Sequence, residues 1–111
     1  MSTTPYDRER AIALLPLLNS ITREIRERTI QLERVEARIE RAEAGEPVRG
    51  SVRELVARAA LHRRELRHAR SELERLGCSI VGTAPITIRI PGVHESKPRS
   101  FVYHTGDAVL R

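Results

Sequence analysis

The sequence is poor in most of what marks a secreted scaffold, a membrane protein or an enzyme. It has one cysteine, Cys78, no tryptophan, and 3% aromatic residues. A lone cysteine excludes an internal disulfide framework and fits a reducing cytosol. The three aromatics, Tyr6, Phe101 and Tyr103, leave few platforms on which nucleic-acid bases would stack. The uncharged stretch Ala11 to Thr22 is 12 residues long and none exceeds 13, whereas a membrane-spanning helix needs roughly 20 apolar residues. The apolar run Ala11 to Leu18 is interrupted by Pro16 and follows Asp7 and Glu9, so a secretory leader is not expected there. A soluble, cytoplasmic protein is the expectation. Equally missing are a Gly-rich phosphate loop, a Ser-His-Asp set and a closely spaced pair of inward carboxylates. His94, His104 and Cys78 lack paired-ligand spacing for zinc. No catalytic residue, cofactor or metal is expected, and the chain is not expected to be an enzyme.

What the sequence does have is charge and helical periodicity. Its 111 residues are 40% hydrophobic and 32% charged, with a net charge of +5 carried almost entirely by arginine. A single domain of this size buries only about two thirds of the surface its unfolded chain exposes, so the core is thin. Both signs alternate along Arg8 to Ala44, and the basic excess falls in Ser51 to Leu76 and in the segment after it. Such an excess permits contact with polyanions but says nothing about fold.

Residues 7–44 read as one long helix. Asp7 is placed as N-cap, Tyr6 can staple onto Ala11, and Gly45 is the stop. Leu14, Leu18, Ile21, Ile25, Arg28, Leu32, Val35, Ile39 and Ala42 recur at steps of four and three, which makes a seam. Pro16 removes a backbone donor in the third turn, so a kink or short break is expected near Leu15. After the turn Gly45 to Gly50, Ser51 and Glu54 form a capping box, and a second helix runs over residues 51–76 to the stop at Gly77. Its seam is Val52, Leu55, Ala59, His62, Leu66, Ala69, Leu73 and Leu76. Laid antiparallel, the two seams pair layer by layer, Ala42 with Val52, Ile39 with Leu55, Val35 with Ala59, Leu32 with His62, Arg28 with Leu66, and on to Leu18 with Leu76.

The tail changes period. Ile86 to Ile90 alternates as a strand, Pro91 to Pro98 reads as a loop, Phe101 to His104 as a second strand, and Gly106-Asp107 turns into a third over 108–110. The expected fold is therefore α+β: a long, coiled-coil-like antiparallel helical hairpin followed by a small β-meander over residues 84–110. The face of Ile86, Ile88 and Ile90 is expected on Ala11 to Leu18, which extends beyond the second helix.

The opening Tyr6-Asp-x-Glu-x-Ala-x-Ala-Leu-Leu-Pro16, the charged hairpin, Leu76-Gly77-Cys78, Ile90-Pro91 and the Gly106-Asp107 turn together resemble an uncharacterised bacterial family, domain of unknown function number 2203. Tyr103 stands where members usually have Trp. The resemblance implies a helical hairpin with a sheet, and it implies no activity or functional residue.

Two groups of residues stand out. Arg28 and His62 are polar positions in apolar seams, in adjacent layers and flanked by Glu24 and Glu65. Polar seam residues fix register and association state, and the same set is also suited to anion or proton binding. Arg63, Arg64, Arg67 and Arg70 form a basic stripe that no acid of the paired register obviously answers, since Thr29 meets Arg63 and Thr22 meets Arg70. Leu17, Ile30, Val56 and Leu61 lie off the seams, and two helices alone have no third element to cover them. The leading expectation is a non-enzymatic interaction or scaffold protein whose hairpin self-associates as a homodimer. The alternative is a basic accessory factor that binds RNA, the ribosome or polymerase through Arg63 to Arg70.

Overall fold

A computed structural model describes residues 5–83 and 86–104. The fold is α+β, a helical hairpin with an antiparallel meander. Helices α1 (Arg8–Glu43) and α2 (Val52–Arg75) precede strands β1 (Ser79–Thr83), β2 (Ile86–Ile90), β3 (Val93–His94), β4 (Lys97–Pro98) and β5 (Phe101–His104). The chain divides into two compact units, Met1–Arg23 with Ser71–Arg111, and Glu24–Arg70.

The helix ends are those the capping residues dictate. Asp7 Oδ1 accepts from Arg10 N at 2.7 Å, and Ser51 Oγ accepts from Glu54 N at 3.1 Å. Both helices stop in a Schellman turn at a glycine with positive φ. Glu46 N bonds Arg41 O and Gly45 N bonds Ala42 O after α1, and Cys78 N bonds Leu73 O and Gly77 N bonds Glu74 O after α2. Of the kink or short break expected near Leu15, the break is absent: the helix continues from Arg8 to Glu43 with Pro16 inside it. The carbonyl that loses its donor there belongs to Ile12, which is exposed, so water can take the bond, while Leu15 and Leu18 on the same turns are held in the core.

In the unit Glu24–Arg70, Val35, Leu55 and Ala59 form one buried cluster with Leu32, Ile39 and Val48 packed against it. The expected layers Val35 with Ala59 and Ile39 with Leu55 both fall in this cluster. Val52, assigned to the outermost layer, is instead exposed. It is the first residue of its helix, and Val48 from the connection packs on the cluster.

In the other unit the sheet order is β1-β2-β5. Ile88 pairs Tyr103 and Ile90 pairs Phe101, and all four side chains are buried on one face, with Arg89 exposed on the other. Strand β1 corrects the expected meander, which starts at Ser79 and not at residue 84. It pairs β2 through Ser79↔Arg89 and Ile80↔Ile88, and a bulge then sets Val81 out of register and exposed. The expected turn Gly106-Asp107 and strand 108–110 lie outside the described residues.

The segment expected to be a plain loop, Pro91 to Pro98, is also corrected. It holds the β3-β4 hairpin, whose turn residues Glu95 and Ser96 both have positive φ, 50° and 64°, the geometry of a type I′ turn built without glycine. Just before it, Tyr6 N donates to Pro91 O and Val93 N donates to Tyr6 O, each at 2.9 Å, so the residue before the Asp7 N-cap is pinned alongside Gly92. A Cβ at Gly92 would lie 2.3 Å from both Arg99 O and the Phe101 ring, which is why this position must be glycine. Ala11, Leu15, Leu18, Ile21 and Thr22 of α1 are buried in the same unit as the buried Leu73, Cys78 and inner face of the sheet. Tyr103 Oη donates to Asn19 Oδ1, tying that face to the start of α1. The buried Thr22 hydroxyl bonds Leu18 O at 2.9 Å and so needs no other partner.

Candidate functional site

The charged chemistry concentrates in the unit Glu24–Arg70. Helical spacing sets Glu24 one turn before Arg28, and the Arg28 Nε to Glu24 Oε1 distance is 2.8 Å. Arg28 Nη1 lies 3.2 Å from His62 Nδ1 across the hairpin. A guanidinium has no acceptor, so in this contact Arg28 donates and His62 Nδ1 accepts. The hydrogen bond to Glu24 raises the Arg28 pKa above its ordinary value against the opposing cost of burial, and the charges of Glu24, Glu65 and Glu27 add to it. Glu65 itself is half-buried. The Arg28 and Glu24 side chains are 30% and 41% exposed, so the pair lies in the range where an ion pair is worth about 0–1 kcal/mol. What this arrangement does chemically is tie one turn of α1 to one turn of α2 with a directional contact.

The basic stripe does not stand as a uniform set. Arg63 Nη2 reaches Glu36 Oε2 at 3.3 Å, so the expectation that helix 1 offers the stripe no acid is wrong for this residue. Pairing by shared layer missed the contact because both side chains are long and Glu36 sits on the flank of α1, two turns from the expected partner Thr29. Arg64, Arg67 and Arg70 are exposed, and among the described residues none of them has an ion pair.

An open groove of about 840 Å³ runs along the other flank, lined by Arg34, Arg38, Arg41 and Glu40 of α1 and by Arg58, Leu61 and His62 of α2. The sequence reading did not single out these arginines. The signal was present in the steps of four and three from Arg34 to Arg38 to Arg41.

The remaining polar candidates lie apart. Cys78 is buried, and burial pushes its thiol up to about 11. Tyr6 Oη donates to Leu76 O at 3.0 Å, with the Arg10 guanidinium over its ring, and burial pushes its phenol up. His104 Nδ1 is 3.0 Å from Thr87 Oγ1 on the neighbouring strand, and His94 is in the exposed hairpin. Among the described residues no three His, Cys, Asp or Glu side chains come close enough to hold a metal ion. No helix among them is long and apolar enough to cross a membrane.

A family model described as "uncharacterized conserved protein (DUF2203)" matches residues 5–110. The chain belongs to this family. The match covers both helices and the whole described sheet of this DUF2203 protein, and its description carries no activity. No curated protein and no solved structure matches the chain.

Proposed function

We propose that this DUF2203 protein is a non-enzymatic, cytoplasmic interaction or scaffold protein that acts by self-association of its helical hairpin into a homodimer. The observation that carries the reading is unpartnered apolar surface: Ile30, Val56 and Leu61 in the unit Glu24–Arg70 are 41%, 51% and 41% exposed. Two hairpins packed as a four-helix bundle would cover such side chains. The state of Cys78 supports the non-enzymatic part, since a thiol pushed up to about 11 is the opposite of an activated nucleophile. Light scattering at micromolar concentration tests the proposal. A dimer mass is expected, and a single 12.6 kDa species overturns it.

The second reading, an accessory factor on RNA, the ribosome or polymerase, has in its favour the exposed and unpaired Arg64, Arg67 and Arg70. Loss of Arg63 to Glu36 reduces that stripe to three cations.

A further inference from the structure

The charges of the hairpin unit are unevenly placed. On α1, Glu33, Glu36, Glu40 and Glu43 recur at steps of three and four; Glu36 of this set meets Arg63, while Glu40 borders the open groove. Arg34, Arg38 and Arg41 follow a second stripe, at steps of four and three, into the open groove where Arg58 of α2 joins them. Like charges so spaced repel by a few tenths of a kcal/mol per pair. Among the described residues, none of these four arginines has a carboxylate within ion-pair distance, and Glu40 is the one acid in the groove lining. A polyanion laid in the groove would relieve this repulsion, which no ion pair within the described residues offsets.

We propose that the groove of Arg34, Arg38, Arg41 and Arg58 binds the phosphate backbone of a duplex nucleic acid. The guanidinium fork matches two phosphate oxygens at once, which suits arginine better than lysine to this ligand. Arg34 to Arg41 covers about 10 Å of helix axis, the axial length of about three phosphates along one strand. Residues 24–70 contain no Phe, Tyr or Trp, and the one ring in the groove lining is His62, which is held by Arg28, so platforms for stacking successive unpaired bases are lacking. Contact through the backbone alone favours a duplex and carries no sequence preference. An acidic protein would also answer the charge. It would need apolar anchors as well, and the groove offers one exposed large apolar side chain, Leu61. All its residues belong to one chain, and Leu61 of its lining is also part of the surface proposed for self-association.

The test is fluorescence anisotropy with labelled mixed-sequence RNA and DNA duplexes of about 20 base pairs, starting at about 50 mM salt. Both duplexes should bind, and affinity should fall steeply as salt rises. The variant Arg34→Gln/Arg41→Gln/Arg58→Gln should bind at least about tenfold more weakly, with the slope of log affinity against log salt reduced by about 2 to 3. All three positions are exposed, so its helical circular dichroism should match the parent. The charge-preserving Arg34→Lys/Arg41→Lys/Arg58→Lys variant should stay within about threefold of the parent, as should Arg64→Gln/Arg67→Gln. The proposal is overturned by no binding at about 50 mM salt, by unchanged affinity in the triple Gln variant, or by tighter binding of a single strand than of the duplex. An equal loss in the Arg64→Gln/Arg67→Gln variant would overturn it in favour of the stripe on α2. Displacement of the duplex by poly-glutamate at matched charge would overturn it in favour of an acidic protein.

Discussion

The two units of this protein solve the same problem, burying enough surface from a short chain, by different means. In the unit that holds the sheet, the start of α1, the end of α2 and the strands come together from distant parts of the sequence. Of the six largest fully buried side chains among the described residues, Tyr103, Leu18, Ile88, Ile90 and Thr22 belong to it. The tyrosine and threonine hydroxyls of its interior are neutral and face fixed partners, Tyr6 to Leu76 O, Tyr103 to Asn19 and Thr22 to Leu18 O. The unit Glu24–Arg70 contributes only Leu55 to that set. Its cross-hairpin contacts are a small apolar cluster and partly exposed charged side chains. The difference shows where each kind of change is tolerated: shape matters in the first unit, and charge and layer in the second.

The largest expected effect tests the claim about shape. Gly92→Ala must push Arg99 O or the Phe101 ring out of place, and about 3 kcal/mol or more of stability should be lost, as for severe overpacking. Denaturant unfolding gives the loss, and hydrogen exchange locates it. If amides of residues 24–70 lose protection as fully as those of the sheet, the two units unfold as one and the comparison breaks.

Next in size is a pH effect confined to the sheet unit. The Cys78 thiol is raised from near 9 to about 11 by burial. The unfolded chain therefore releases this proton first, so the stabilisation is complete below about pH 9 and is lost as pH rises through about 11. The loss amounts to about 2 kcal/mol. The difference in unfolding free energy between the parent and Cys78→Ala, followed from about pH 8 to 11, should show that slope. A flat difference would mean the thiol is not desolvated.

The smallest effect sharpens the view of the hairpin unit. Arg28→Leu with His62→Leu exchanges a half-exposed polar tie for apolar packing and should stabilise the protein by about 1 kcal/mol while widening the range of association states. Glu24 is 41% exposed, so its carboxylate is left in reach of water. A falling melting temperature would show that the tie belongs to a satisfied network and would contradict the register reading.

How much could be read in advance follows the same division. Both helices were legible because caps and seams are local signals: Asp7, Ser51, Gly45 and Gly77 act within one turn of themselves. Strands β2 and β5 were legible from their alternation. Strand β1 was not, because Ser79 to Thr83 is short, contains Gly82 and follows the helix stop directly, so that only its pairing with β2 makes it a strand. The β3-β4 hairpin was hidden because Glu95 and Ser96 adopt a turn that usually announces itself with glycine. At the candidate site, the adjacency of Arg28 and His62 followed from the layers. The Arg63–Glu36 pair and the arginine groove did not, since long side chains on the flanks reach beyond the layer they start from.

The placement of the aromatic residues has an optical consequence. Tyr6, Phe101 and Tyr103 all lie in the sheet unit, Tyr103 at its centre and Tyr6 bonded to the end of α2. With no tryptophan in the chain, tyrosine emission and near-ultraviolet dichroism report on that unit alone, and the hairpin of residues 24–70 is spectroscopically dark. Far-ultraviolet dichroism is dominated by the helices. Since the stretches Arg8 to Arg23 and Ser71 to Arg75 of the helices belong to the sheet unit, following both signals through one melt sets the sheet unit against the helices as a whole, without any label.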